Sequence, residues 1–131
     1  MSKQRLPYYV GISGANTGAR HLSLNLLIVP PGGVGQPHIH QGFESAVYMI
    51  QGRVETRYGE RLEKSVINQA GDFIFIPPDL PHQPINLSQD EPAIGIVARN
   101  DPNEQESVVL HEVLAHLQAS RPRRARAASG D

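Results

Sequence analysis

Glycine and proline break the middle of this chain into short apolar runs, none of which keeps a helical period. Leu22 to Val29 begins with polar–apolar alternation, becomes continuously apolar, and stops at Pro30-Pro31-Gly32-Gly33. Ser45 to Gln51 is closed by Gly52, Arg53 to Tyr58 by Gly59, Arg61 to Ile67 by Asn68-Gln69-Ala70-Gly71, and Asp72 to Ile76 by Pro77-Pro78. With His82 to Leu87 and Ala93 to Arg99, seven or eight evenly spaced strands predict an all-β sandwich, jelly roll or small barrel.

In Arg53 to Tyr58 the alternation puts Val54, Thr56 and Tyr58 on one face and Arg53, Glu55 and Arg57 on the other. After Asp101-Pro102-Asn103 the period changes. Leu110, Val113, Leu114 and Leu117 stand at i, i+3, i+4 and i+7, which predicts a short amphipathic helix from about Ser107 to Gln118. A length of 131 residues suits one domain, expected over residues 1–118, with 119–131 as a disordered basic tail.

Composition removes several function classes. The chain has no cysteine, so thiolate metal sites, disulfides and thiol nucleophiles are out, and a metal must be held by nitrogen or oxygen donors. Residues 1–120 carry a net −4 and the tail a net +3, which argues against a nucleic-acid footprint over the domain. No apolar run would span a bilayer and the start resembles no secretory signal, so no membrane partner and a cytoplasmic location are expected.

The chemistry concentrates in His38-Ile39-His40 after the Gly-rich loop and in His82 after Pro77-Pro78-Asp79-Leu80-Pro81. Residues two apart on a strand share a face, so His38 and His40 project two imidazoles together, with Glu44 four residues on. A third imidazole from a distant strand would complete three neutral nitrogens and one carboxylate around a divalent transition metal: iron, manganese, nickel, copper or zinc. His21, His111 and His116 have no such companions and are read as ordinary core or surface residues.

Gly32, His38, His40, Glu44 and Gly52, followed by Gly71, Pro77, His82 and Asn86, resemble the two motifs of the cupin superfamily in order and separation. The resemblance covers residues 22 to about 100. It implies a double-stranded β-helix, the jelly-roll cupin barrel, here with the short C-terminal helix, and a metal inside the barrel on His38, His40, Glu44 and His82. Two positions depart from the pattern. Asp79 stands where the second motif often has Gly, and Asp tolerates the left-handed backbone such a turn needs. The interval from Glu44 to Gly52 is one residue longer than in the commonest version, so a bulge or turn near Gly42 is expected to aim the carboxylate inward.

If Glu44 points inward, Ala46, Tyr48 and Ile50 follow it, which makes Tyr48 a candidate catalytic hydroxyl. Phe73 and Phe75 share a face as core or pocket wall; Gln36 and Gln83 could bond substrate; Arg57 and Arg99 could bind an anion, against the ordinary state of an exposed Arg. The implied function is a metal-dependent small-molecule enzyme, with dioxygenase-type chemistry ahead of isomerase, decarboxylase or cyclase chemistry. The alternatives are a non-catalytic ligand- or metal-binding or sensing cupin and a metal-free sugar epimerase or isomerase. A homodimer is expected, with Tyr8-Tyr9-Val10 and the C-terminal helix as swapped or docked elements.

Overall fold

In β9 (Ala93–Arg99) burial alternates strictly enough to define an inside, with Ala93, Gly95, Val97 and Arg99 facing inward. This computed structural model describes residues 8–103 and 108–110. The other strands are β1 (Tyr8–Ile12), β2 (Ser23–Val29), β3 (His38–His40), β4 (Ser45–Gln51), β5 (Arg53–Tyr58), β6 (Lys64–Gln69), β7 (Phe73–Ile76), β8 (His82–Asn86) and β10 (Val108–Leu110). They form two antiparallel sheets, β1-β2-β9-β4-β7 and β10-β3-β8-β5-β6. The chain passes back and forth between the sheets as a double-stranded β-helix.

The register divides the interior into two ends. At one end Val29 pairs with Ala93 and Val54 with Asn86, and Val29, Met49, Val54 and Ala93 form the apolar core with Leu27, Val47 and Ile74 against it. At the other end Arg99 lies between Ser23 and Ser45, while Tyr58 pairs with His82 and His82 with His38. The core thus supports one end of the sandwich and leaves the polar residues gathered at the other.

Turns fix this arrangement. Gly52 takes φ +91° between β4 and β5, and a Cβ there would lie 2.8 Å from the Ala93 Cα, so the position needs glycine on both conformational and steric grounds. Asp79 adopts the expected left-handed conformation at φ +64°; its N–H donates to the His40 carbonyl at 3.2 Å and its Oδ1 accepts from the Gly42 N–H at 3.0 Å. Asn86 is buried, and its Nδ2 donates to the carbonyls of Val29, Pro30 and Glu91 at 3.0, 3.1 and 2.8 Å. The motif asparagine therefore ties two loops together at the core end.

Two elements differ from expectation. The strand expected over Arg61 to Ile67 is β6 at Lys64–Gln69, because Leu62 turns the chain at φ +53° and its carbonyl receives Nε and Nη2 of Arg57 at 3.2 and 3.0 Å. Within the helix expected from about Ser107 to Gln118, three residues are described, and they are not helical. Val108–Leu110 is a strand antiparallel to β3, pairing Val108 with His40 and Leu110 with His38, and so supplies ladder bonds to an otherwise open edge. The rest of that helix and the basic tail lie outside the described residues. Tyr9 pairs with Leu26 of its own chain. No helix among the described residues is long and apolar enough to cross a membrane.

Candidate metal centre

His38 and His40 point inward from β3, and β8 brings His82 opposite His38. All three are buried, and one ring nitrogen from each falls within 4.8 Å of the others, which makes them a group that could hold a metal ion. The His38 Nδ1 lies 2.7 Å from the Gln36 carbonyl and the His82 Nδ1 2.8 Å from the Leu80 carbonyl. A carbonyl oxygen only accepts, so the proton sits on each Nδ1 and each Nε2 keeps its lone pair. Burial pushes the His82 imidazole down to about 4 against the pull of the Leu80 carbonyl. Burial, then charge on His82 and His40, holds His38 well below its ordinary range. Both are neutral at pH 7, the state a metal ligand needs.

Glu44 does not join them. It is exposed, and its backbone N–H donates to Asn100 Oδ1 at 2.9 Å. The turn expected near Gly42 exists, at φ +79°, but the inward parity of β4 is that of Ser45, Val47 and Met49, so Glu44 falls on the other side. For the same reason Tyr48 faces outward, 39% exposed, with its ring 4.8 Å from that of Phe73. The expected catalytic hydroxyl is therefore not in the site.

The inward position is held by Ser45, whose Oγ accepts from the Arg99 Nε at 2.6 Å. The Arg99 Nη2 lies 3.5 Å from the His40 Nε2. Burial lowers the Arg99 guanidinium to about 10 while Asp101, also buried, opposes that shift, so the group is charged at neutral pH. Behind these residues is a cavity of about 60 Å³ whose other walls are mainly apolar, among them Val47, Met49 and Val97. An outer groove of about 490 Å³ shares Thr56, Ile74, Ile76 and His82 with it and adds Tyr58, Phe73 and Phe75. The shared residues make the groove adjacent to the cavity.

A comparison with protein families matches residues 25–98 to the Cupin domain family, more than half of the chain. The chain belongs to the cupin family. Solved structures with the same fold include an uncharacterised conserved protein with a double-stranded β-helix domain from Klebsiella pneumoniae, 19% identical, with 84% of this chain and 87% of that one covered at a TM-score of 0.67. An oxalate decarboxylase formate complex from Lactobacillus farciminis is 22% identical at a TM-score of 0.72, covering 93% of this chain and 35% of that one. An oxalate oxidase in complex with the substrate analogue glycolate is 23% identical at 0.67, covering 83% and 56%. This cupin therefore spans about a third of the decarboxylase and just over half of the oxidase. No curated protein sequence matches the chain.

Within the cupin barrel, His38, His40 and His82 come together as their motif positions imply, while Glu44 and Tyr48 stand apart. Ser45 is not among the residues singled out from the sequence, and Arg99, a candidate for binding an anion against the ordinary exposed state, is buried beside the imidazoles. The signal for Ser45 was the overlong interval to Gly52: counting one residue closer lands on the inward position. For Arg99 the signal was its place at the end of a strand whose alternate residues are Ala93, Gly95 and Val97.

Proposed function

We propose that this cupin binds one divalent transition metal on His38, His40 and His82 and uses it in small-molecule catalysis, with dioxygenase-type chemistry ahead of isomerase, decarboxylase or cyclase chemistry. The observation that carries the reading is the convergence of three buried imidazoles, two with assigned Nε2 lone pairs, beside a cavity that adjoins a groove. The donor set suits iron, manganese, nickel, copper or zinc, and nitrogen donors without thiolate leave the choice to availability. A bound ion would supply Lewis-acid polarisation and, if redox-active, one-electron and oxygen chemistry.

The chain's own residues would do the rest. The Gln36 and Leu80 carbonyls orient two imidazoles, Arg99 holds positive charge beside the third, and the apolar walls limit water. The similar structures of oxalate oxidase with glycolate and oxalate decarboxylase with formate support chemistry on small molecules. Elemental analysis of protein purified without added metal or a chelating tag tests this. Near-stoichiometric metal, lost in a folded His38→Ala/His82→Ala variant, is the expected result; no metal after reconstitution would refute it. Metal retention with ligand-induced stabilisation but no turnover would make the protein a binding or sensing cupin.

We also propose that two copies associate through the outer face of the sheet β1-β2-β9-β4-β7. Tyr9, Leu24, Tyr48 and Ile50 are exposed there, and the strands present no charged side chain on that face. An uncharged apolar face meets its own copy without like-charge repulsion.

A further inference from the structure

Among the described residues, Arg99 is the cation beside the imidazoles, and the metal-ligating group of His38, His40 and His82 includes no carboxylate. Arg99 is held in place by the bond from its Nε to Ser45 Oγ, and its Nη2 reaches to within 3.5 Å of His40 Nε2. Asp101 supplies an opposing charge to Arg99. The imidazoles of His38 and His82 bring no negative charge to a divalent ion and Arg99 adds a positive one, so an anionic ligand would be drawn to this end of the cavity.

The remainder of the cavity is different. Apart from Thr56, its walls are aliphatic and proline side chains with Met49 and Gly95, and about 60 Å³ holds only a few water-sized groups. A head group seated there would leave the rest of its molecule outside the cavity, and the adjoining groove offers it Ile74, Ile76, Phe73 and Phe75. Lys64 also lines the groove but is exposed to solvent. A second buried carboxylate would lie against Val47, Met49 or Val97 with no polar partner, at a cost of several kcal/mol.

We propose that the site selects amphipathic monoanions: a single carboxylate recognised by Arg99 beside the imidazoles, carrying an apolar or aromatic body in the groove of Phe73, Phe75, Ile74 and Ile76. The substrate class rests on the metal-centre reading, but Arg99 recognition can be read with or without metal.

The test is calorimetric titration of the full chain, metal-loaded and metal-free, with phenylacetate, acetate and the neutral isostere phenylacetamide. Phenylacetate is expected to bind at least about 10-fold more tightly than the amide, the scale of a charge-assisted hydrogen bond, and more tightly than acetate. Arg99→Gln is expected to erase the preference for acid over amide, with partial recovery in Arg99→Lys. A purely structural role for Arg99 would weaken acid and amide alike and would overturn the proposal. So would equal binding of acid and amide by the wild type, or no binding of phenylacetate at millimolar concentration. Should Arg99→Gln not fold, Ser45→Ala, which frees the guanidinium from its anchor, is expected to reduce the acid preference. Metal retention without the preference would sink this inference alone; the preference without metal retention would sink the metal reading alone.

Discussion

His38 and His82 are register partners across the pair β3–β8, and their ring centroids lie 4.3 Å apart. Two imidazoles this close and this buried cannot both be protonated cheaply, so the arrangement favours neutral rings with lone pairs directed to a shared point. The same closeness links the site to acid stability.

Stability is expected to fall as the pH drops from about 6.5 toward 4. The folded His82 imidazole titrates near 4 and an unfolded one near 6.5, so in this window the unfolded chain takes up a proton that the folded chain refuses. His82 alone accounts for about 2–3 kcal/mol between pH 7 and 4.5, and His38 acts in the same direction. Urea unfolding of metal-free protein at both pH values checks this. The loss should shrink by about that amount in His82→Asn; an unchanged loss would contradict the burial assignment.

Glu44→Ala is expected to leave metal content unchanged and stability within about 0.5 kcal/mol, because the side chain is exposed and the backbone bond to Asn100 survives. Ser45→Ala removes a hydrogen bond to a buried charge and should cost about 2 kcal/mol. Elemental analysis and chemical denaturation of the two variants side by side distinguish the neighbours. Loss of metal in Glu44→Ala would restore the carboxylate as a ligand.

Asn86→Ala should destabilise the fold by about 3 kcal/mol, since the carbonyls of Val29, Pro30 and Glu91 lose their shared donor. Metal content in whatever folds should be retained, because Asn86 lies at the core end. A denaturation midpoint equal to wild type would show that these carbonyls find other partners.

Sedimentation at micromolar concentration is expected to give twice the chain mass. Tyr48 and Ile50 are 39% and 46% exposed, and Tyr48→Ser/Ile50→Ser should shift the species toward the monomer without loss of the fold. A monomeric wild type would overturn the association.

Short apolar runs closed by glycine and proline were enough to determine an all-β chain, and the bounds of β4, β5 and β9 follow from them directly. His38, His40 and His82 were legible because a period of two fixes relative facing within a strand and a motif fixes the distant partner. What period alone leaves open is which parity of a strand faces inward. Partner strands decided that for β4: Ser45 and Val47 share the inner face with Arg99 and Val97, which turned Glu44 and Tyr48 away and drew Arg99 in. The helical spacing at Leu110 likewise yielded to a tertiary demand, the open edge of β3, where backbone pairing outweighs a local side-chain period. Local pattern named the residue types and their spacing, whereas pairing between strands far apart in sequence chose which of them meet, because a strand's facing is a property of the sheet it joins.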